Sequence, residues 1–429
     1  MTSDSVHLSD VANIQGGFAF KSSDFQSEGV AVVKIANIQP PFVSLSNVDR
    51  VANEKLTTLD RFRLNDGDIL MAMTGATVGK VGRFKETEPA YLNQRVARIN
   101  AKRGPQFDDF IYAIVSQPRF DELIEGASAG SAQANISAAG IGSVLIPHIS
   151  DADQLVIGET ARSIDDRITL LRETNKTLEA IAQALFKSWF VDFDPVRAKA
   201  EGGLPEGIDA ATAALFPDAF DETELGLAPK GWSVNSLSTF ITESTLRIGN
   251  KPAVVLSAVQ TGSLVMSSKF FTKRVHSKDI SKYKAVQPHS YAYNPSRINI
   301  GSIGINETGG VGAVSSMYIV FNPKDINFGY YLWHLLKTKR ICESIKTMSS
   351  GTVRQSLAFK DLASIKVVLP PVEIIQKFFE IRNEIYKNIT AKENQILLLT
   401  NLRDILFPHL ISGQLRIAEA EAEIEKVSA

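Results

Sequence analysis

The sequence predicts an α+β protein: two tandem mixed α/β domains, forming an internal repeat with pseudo-two-fold symmetry, joined by two long helices that pair as an antiparallel coiled coil. Three observations predict this fold. The chain has 429 residues, 44% of them hydrophobic and 22% charged, a globular composition with length for several domains. Its two halves match each other at a nearly constant offset. Each half also ends in a long segment whose apolar residues recur with heptad spacing, called its heptad stripe below.

The repeat is visible in segments of similar pattern but different residues. Gly79-Lys-Val-Gly82 matches Gly301-Ser-Ile-Gly304 at an offset of 222. Short β-branched and aromatic runs separated by Gly, Pro and Asn predict strands around these segments. An amphipathic segment follows at an offset of 221, near Phe107–Glu125 and Phe328–Lys346. It predicts one helix of about 20 residues in each half.

Apolar residues at alternating spacings of four and three form the heptad pattern in both long helices. The first stripe contains Ile164, Ile168, Leu171, Asn175, Leu178, Ala182, Leu185 and Trp189. The second, shifted by 221, contains Ile385, Ile389, Lys392, Ile396, Leu399, Arg403 and Leu406. Packing of each helix on its own domain is the alternative to mutual pairing. We favour pairing because each helix then buries the other's apolar seam, and we expect it to be antiparallel because the first helix leads on to a second globule.

These patterns divide the chain into six segments. They are a first α/β domain at 1–148, a long helix at 149–194, an acidic linker at 195–230, a second α/β domain at 231–370, a second long helix at 371–415 and an acidic tail at 416–429. Antiparallel helices of this kind would place the two domains at opposite ends of a rod.

Charge is distributed unevenly, although the net charge is only −1. Residues 246–300 contain nine basic residues and one acid, and residues 61–103 contain nine and four. Basic residues beside glycine-rich turns, with Tyr283, Tyr291 and Tyr293 interleaved, are typical of a surface that contacts a phosphate backbone. Ordinary surface lysines are the alternative for any single residue. The candidate nucleic-acid-binding residues are Lys80, Arg83, Arg95, Lys273, Arg274, Lys278, Lys282, Lys284 and Arg297.

No catalytic signature appears in the sequence. Gly75 and Gly79 are separated by three residues, whereas a nucleotide-binding phosphate loop needs four. The single cysteine, Cys342, excludes an internal disulfide, and without CxxC or HExxH motifs we expect no metal site. No apolar run is long enough to span a bilayer, which favours a cytoplasmic protein. The sequence therefore indicates a binding protein rather than an enzyme.

An aromatic cluster closes the first heptad helix. Phe186, Trp189 and Phe190 lie close to two acidic residues and are too apolar to remain in water. Packing on their own domain is one interpretation. We favour a surface that binds a partner subunit, and we extend it to Phe407, the repeat counterpart of Phe186.

Several motifs together carry a resemblance to a known family. They are Gly67-Asp-Ile-Leu-Met-Ala-Met-Thr-Gly75, Tyr91-Leu-Asn-Gln94, Leu185-Phe-Lys-Ser-Trp-Phe-Val-Asp-Phe-Asp-Pro195, Leu215-Phe-Pro-Asp218 and Gly226-Leu-Ala-Pro-Lys-Gly-Trp232. Through them the chain resembles, over essentially its whole length, the specificity subunit of type I restriction-modification enzymes. The first half has no counterpart of the Pro229-Lys-Gly-Trp232 motif that begins the second half, so the beginning of the first domain is less sharply defined.

The resemblance implies two target recognition domains, each reading one half of a bipartite site in double-stranded DNA. It implies a non-catalytic subunit that assembles with two modification subunits, which methylate adenine with S-adenosylmethionine, and with restriction subunits that use ATP and Mg. Paired helices of about 30 residues would make a spacer of about 45 Å, or about 13 base pairs. The alternatives are a recognition module of another restriction or methylation system and a scaffold protein that does not bind DNA.

Overall fold

Two units share the long helices in the computed structural model, which describes residues 5–127, 135–260, 262–270, 277–349, 356–412 and 415. Unit 1 comprises residues 1–174 and 391–429, and unit 2 comprises residues 175–390. The first and last parts of the chain therefore belong to the same unit.

The described residues of unit 1 form a mixed α/β structure with three sheets. Its strands are β1 (Ser5–His7), β2 (Ala12–Gly16), β3 (Phe25–Gln26), β4 (Val30–Val33), β5 (Ile38–Gln39), β6 (Phe42–Val43), β7 (Asp49–Val51), β8 (Ile69–Ala72), β9 (Val81–Arg83), β10 (Ala90–Leu92), β11 (Val96–Ala101) and β12 (Leu145–Pro147). Its helices are α1 (Leu8–Val11), α2 (Asp108–Val115), α3 (Pro118–Ala127), α4 (Ala138–Gly142), the first part of α5 (Asp151–Lys187) and the last part of α12 (Val372–Ile411). The strand orders are β2-β11-β8-β9-β6-β5, β10-β4-β7-β3 and β1-β12.

Unit 2 follows the same plan. Its helices are the last part of α5, α6 (Asp194–Ala200), α7 (Ala210–Ala214), α8 (Ser267–Phe270), α9 (Phe328–Leu336), α10 (Lys339–Met348), α11 (Phe359–Ser364) and the first part of α12 (Val372–Ile411). Its strands are β13 (Phe220–Thr223), β14 (Gly226–Pro229), β15 (Ser233–Ser236), β16 (Ile241–Ser244), β17 (Val254–Val259), β18 (Ser263–Met266), β19 (Lys284–Val286), β20 (Tyr291–Tyr293), β21 (Ile303–Ile305), β22 (Gly312–Val314), β23 (Ile319–Pro323) and β24 (Lys366–Leu369). The strand orders are β16-β23-β20-β21, β18-β17-β22-β19, β15-β24 and β13-β14.

The repeat in the sequence is also a repeat in topology. The antiparallel order β2-β11-β8-β9 of unit 1 recurs as β16-β23-β20-β21 in unit 2. The parallel pair β10-β4 recurs as β22-β17, and the antiparallel pair β1-β12 recurs as β15-β24. The prediction of two tandem mixed α/β domains is confirmed.

The amphipathic segment of each half is two helices rather than the single helix that its periodicity predicts. In unit 1, α2 ends at Val115 and α3 begins at Pro118. Proline has no N–H to continue the helix and disfavours helical geometry in the residue before it. In unit 2, α9 ends at Leu336 and extended Thr338 precedes α10. The break falls at the same place in both copies, 221 residues apart.

The long helices α5 and α12 pair antiparallel, as the heptad stripes predict. In unit 1, Ile164, Ile168 and Leu171 share one hydrophobic core with Leu399 and Leu406. In unit 2, the rings of Phe186 and Phe378 pack 5.7 Å apart. Within unit 2, Glu179 pairs with Arg382 and Phe186 packs on Phe378, so rising numbers on α5 meet falling numbers on α12. None of the described helices combines the length and hydrophobicity needed to cross a membrane.

Polar residues interrupt the apolar seam between α5 and α12, and they form hydrogen bonds with groups on the opposite helix. Arg403 Nη1 donates to Asp165 Oδ1 over 3.0 Å in unit 1. In unit 2, Asn175 Nδ2 donates to the Ile389 carbonyl over 3.4 Å. Such contacts form only in one alignment of the two helices, so they favour a single register at some cost in stability.

The segment predicted as an acidic linker is folded onto unit 2. Val196 and Phe216 are fully buried, and Trp232 at its end is 6% exposed. The rings of Trp189 and Phe216 lie 5.2 Å apart. Apolar side chains spaced along an acidic segment therefore make it part of the core, although its net charge is typical of a solvated connection.

A buried histidine couples the stability of unit 2 to pH. His334 is 5% exposed, and its ring stacks on Phe186 at 5.3 Å. Burial among aromatic rings lowers its pKa to about 3. Because the folded state holds this imidazole neutral, the unfolded state binds more protons between the ordinary histidine pKa of about 6.5 and this lowered value.

We expect unit 2 to lose stability as the pH falls below about 6.5, by about 2 kcal/mol at pH 5 from this group alone. His334→Phe keeps the aromatic packing and removes the titration, so its unfolding midpoint should depend less on pH between 5 and 7. Chemical denaturation across this range measures the effect. His148→Gln, at an exposed histidine, is the control. Equal pH dependence in wild type and His334→Phe would contradict the assignment.

A second prediction concerns the buried Arg382, whose Nη2 lies 3.0 Å from Glu179 Oε1. The arginine side chain is only 2% exposed. Glu179→Gln should therefore lower the free energy of unfolding by about 2 kcal/mol, because it removes the nearer of two carboxylate partners of a desolvated guanidinium and leaves only Glu307 Oε1, at 4.0 Å. Glu380→Gln removes an exposed pair with Lys377 and should cost less than about 0.5 kcal/mol. Urea denaturation compares the two, and equal losses would contradict the prediction.

Candidate nucleic-acid interface

Two loops of unit 1 meet at one end of the six-stranded sheet. Residues 73–80 join β8 to β9, and residues 93–95 join β10 to β11. The Met73 N–H donates to the Arg95 carbonyl over 3.0 Å and ties the loops together. Gly79 adopts a φ of +85° and donates to the Ala72 carbonyl, a left-handed turn that favours glycine. The sheet therefore holds both loops in a fixed relation.

Exposed polar side chains project from these loops. Lys80, Gln94 and Arg95 are exposed. Within the described part of the chain, no ion pair engages Lys80 or Arg95. Cations without a carboxylate partner are free to contact an anionic ligand, and a side-chain amide can both donate and accept hydrogen bonds.

Arg83 lies in a different environment from the surface predicted for it. Its Nη2 is 2.7 Å from Asp109 Oδ1, and its side chain is only 13% exposed. The guanidinium also lies 4.1 Å from the centre of the Tyr112 ring. Arg83 thus links β9 to α2 inside unit 1. Proximity to Lys80 in the sequence does not reveal this, because Lys80 precedes the strand and Arg83 lies on it.

A second group of basic residues lies in unit 2 at the beginning of β19. Lys278 and Lys282 are exposed, and Lys284 is half-buried. A β-bridge pairs Lys284 with Arg247, an exposed residue that the sequence-based candidates did not include. Ile248 N–H also donates to the Tyr283 carbonyl over 2.9 Å. The pairing of these two loops therefore adds Arg247 to the candidates. The sequence does not show this pairing, because Arg247 and Lys284 are far apart along the chain.

Arg297 lies on another loop of unit 2, residues 294–302 between β20 and β21, the counterpart of 73–80. Its side chain is exposed. The neighbouring loop 315–317 corresponds to 93–95 and presents Met317, which is 73% exposed. Lys273 and Arg274 lie outside the described residues.

The interleaved tyrosines are mostly core residues. Tyr291 and Tyr293 are fully buried, and their hydroxyls donate to the Gly329 and Leu357 carbonyls. Burial raises the pKa of both. Of the three, only Tyr283 reaches the surface, as a half-buried residue. Alternation along β20 puts both tyrosines on the core face, so they cannot stack on a ligand in this fold.

The predicted partner-binding aromatics also lie in hydrophobic cores. Phe186 and Trp189 are 3% and 1% exposed in unit 2, and Phe407 is 2% exposed in unit 1. Phe190 is half-buried, with its ring 6.1 Å from that of Trp232. The structure therefore favours the alternative interpretation, packing on their own unit.

The exposed apolar residues near Phe186, Trp189 and Phe190 were not among the predicted site residues, because no periodic pattern in the sequence marks them. Ile181 is 50% exposed and Leu204 is 89% exposed, and both line a groove of about 640 Å³ in unit 2. Among the described residues, no group of three or more His, Cys, Asp or Glu side chains could hold a metal ion.

Comparisons with known proteins place this architecture in a family. The family model described as "Type I restriction modification DNA specificity domain" matches residues 2–180 and 263–401. The chain is 24% identical over 395 residues to the type I restriction enzyme MjaIX specificity subunit of Methanocaldococcus jannaschii, covering 88% of this chain and 84% of that protein. It is 26% identical over 316 residues to the HindI specificity subunit of Haemophilus influenzae, covering 59% and 65%.

A solved structure supports the same fold. The type I restriction-modification S subunit from M. genitalium superposes with a TM-score of 0.56 over 95% of this chain and 96% of that one, at 16% identity. The family match covers both halves of the chain, in agreement with the repeated topology of the two units. The chain belongs to the family of type I restriction-modification DNA specificity proteins.

Proposed function

We propose that this chain recognises a bipartite site in double-stranded DNA, one half-site per unit, and directs modification and restriction subunits to it. One observation carries the proposal: the two units share a strand order but present different side chains on corresponding loops. Gln94 and Arg95 in unit 1 stand where unit 2 has Ser316 and Met317. A common scaffold with different loop chemistry is what two different half-sites require.

The basic residues of these loops would supply phosphate contacts. Lys80 and Arg95 in unit 1, and Lys278, Lys282 and Arg297 in unit 2, are exposed. Lys273 and Arg274 stay predictions of the same kind. Phosphate contacts position a protein on the duplex, and side chains at base edges in the major groove then specify sequence.

We assign the chemistry of the system to partner subunits. The relatives named above are specificity subunits. In this proposal S-adenosylmethionine serves two modification subunits, ATP and Mg serve the restriction subunits, and this chain contributes no catalytic group. The complex would act on DNA in the cytoplasm.

Replacement of Lys80 and Arg95 by Ala should weaken binding to DNA of any sequence. The slope of log K against log salt should fall by about 1.8, because two phosphate contacts are lost at about 0.9 each. Filter binding or fluorescence anisotropy at several salt concentrations, with the modification subunits present, measures this slope.

Arg83→Ala is the matched control for this test. It removes an ion pair inside unit 1, so the melting temperature should fall while the salt slope keeps its wild-type value. A double variant with an unchanged salt slope would remove loops 73–80 and 93–95 from the interface. A chain that binds no DNA even with its partners would favour the scaffold alternative.

Exchange of residues 1–145 for the equivalent segment of a relative should change one half-site and leave the other intact, since unit 2 keeps its loops.

One heptad added to both α5 and α12 should widen the gap between the half-sites by about 10 Å, or about three base pairs, with both half-sites unchanged. Mapping of methylated adenines in cells that contain the partner subunits reads out both changes. An exchange that alters both half-sites, or an insertion that leaves the gap unchanged, would contradict two independent readers on a helical spacer.

A further inference from the structure

A pocket of about 330 Å³ lies in unit 1 where the loop 73–80 faces α5. The charged residues of its lining are Lys80 from the loop, Asp165 and Arg172 from α5, and Arg403 from α12. All four belong to unit 1. Three cations and one acid give the wall of the pocket a net charge of +2.

The acid in this wall already has a cationic partner. Asp165 Oδ1 accepts from Arg403 Nη1 over 3.0 Å, and Arg403 Nη2 also donates to Asp404 Oδ1 over 2.8 Å. Lys80 and Arg172 are exposed, and no carboxylate among the described residues forms an ion pair with either of them. Two cations that face one pocket repel each other, so both charges stabilise an anionic group placed between them.

The backbone holds both cations in place. The Lys80 N–H donates to the Thr77 carbonyl over 3.0 Å, which fixes the turn before β9. On α5, Asp165, Ile168 and Arg172 follow one another at spacings of three and four residues and so share one face of the helix. Ile168 is 3% exposed in the core of unit 1. Arg172 therefore lies one turn beyond a buried position, on the face that packs against this unit.

A neighbouring pocket of unit 1 shows how other basic residues of this region are used. It has a volume of about 260 Å³ and shares part of its wall with the first pocket. Its three cations, Arg83, Lys85 and Arg162, all form ion pairs with Asp109 or Asp166. These cations are bound within the fold. Lys80 and Arg172 differ from them, which indicates an anion from outside the chain.

The lining of the first pocket suits a phosphate group better than a nucleotide base. Its aromatic residue, Tyr112, is 3% exposed, and the Arg83 guanidinium lies 4.1 Å from the centre of its ring. This ring is therefore covered and cannot stack on a base. A guanidinium can donate two parallel N–H groups to phosphate oxygens, and a lysine adds a point charge. The exposed Ser116 hydroxyl at the end of α2 supplies a neutral donor.

We propose that Lys80 and Arg172 together bind one phosphate group of the DNA backbone. This inference rests on the proposed function, and it extends the interface from the loops to α5, the helix that links the two domains. Because α5 leads out of unit 1 towards the second half of the chain, the phosphate lies on the gap side of the half-site read by unit 1. A phosphate contact carries no base information, so the gap is bound without being read.

Arg172→Ala tests the site, and Arg167→Ala is the matched control. Arg167 is an exposed arginine on the same helix, five residues earlier and about 140° away around the helix axis. In the full chain with its modification subunits, Arg172→Ala should lower the slope of log K against log salt by about 0.9, because one phosphate contact is lost. Arg167→Ala should change the slope much less. Equal slopes for Arg172→Ala and wild type overturn the proposal.

Two further measurements separate a phosphate contact from a structural role. Arg172→Lys keeps the charge and should restore most of the salt slope. The melting temperature of Arg172→Ala should stay within about 2 °C of wild type, because the side chain is exposed and has no ion-pair partner among the described residues. A larger fall in melting temperature with an unchanged salt slope assigns Arg172 a structural role and overturns the proposal.

Neutral phosphate analogues locate the contact on the DNA. In duplexes that carry the mapped site, one backbone phosphate at a time is replaced by an uncharged methylphosphonate along the gap side of the half-site. At one position the wild-type complex should bind several-fold more weakly, whereas Arg172→Ala should lose nothing more, because the two changes remove the same contact. Losses of equal size in the two proteins at every position overturn the proposal.

The remaining outcomes distinguish this inference from the proposed function. If Arg172→Ala keeps the wild-type salt slope while the double variant of Lys80 and Arg95 loses slope, this inference fails and the proposed function stands. A wild-type complex that binds no DNA overturns both. If inorganic phosphate raises the melting temperature of the wild-type chain but not that of Arg172→Ala, and the salt slope on DNA is unchanged, the pocket takes a free anion and the proposal is overturned.

Discussion

The antiparallel pairing of α5 with α12 is the interaction on which the rest of the structure depends. Its apolar seam supplies part of the core of both units, with Ile164 and Leu399 in unit 1 and Phe186 and Phe378 in unit 2. Because each unit is completed by a helix from the other half of the chain, neither α/β domain forms its core alone. Separation of the two halves would therefore expose both cores.

Polar contacts make this pairing specific. The Arg403–Asp165 pair in unit 1 has no equivalent at the repeat-related positions, which are Ala182 and Tyr386. The Arg382–Glu179 pair in unit 2 is likewise absent from its related positions, Ala161 and Thr400. Each helix therefore carries groups that fit the other helix and not a second copy of itself. This asymmetry selects α5–α12 pairing over α5–α5 pairing between chains, at some cost in stability.

The parts of the fold that the sequence predicts are those with a periodic or repeated signal. The 221-residue offset and the phase-matched stripes predict two similar domains and antiparallel helices, because a repeat and a heptad seam depend on residue type and spacing alone. The positions of Arg83, Tyr291 and Trp189 depend on which elements pack together. Their residue types predicted a surface location, whereas their tertiary contacts place them in the interior. For the candidate interface, composition located the basic regions, but only the tertiary contacts show that Arg83 is paired with Asp109 and that Arg247 lies beside Lys284.

Residues 391–411 of α12 belong to the same unit as the N-terminus, so this unit stays incomplete during most of the synthesis of the chain on the ribosome. Leu171 is made 228 residues before Leu399, with which it shares a core. At a translation rate of roughly 5 to 20 residues per second, roughly 10 to 45 seconds pass between synthesis of the apolar face of α5 and synthesis of the part of α12 that packs on it. During that interval the nascent chain presents Ile164, Ile168 and Leu171 to other proteins. Yield in cells should therefore depend on chaperone supply and elongation rate more than the stability of the finished fold suggests.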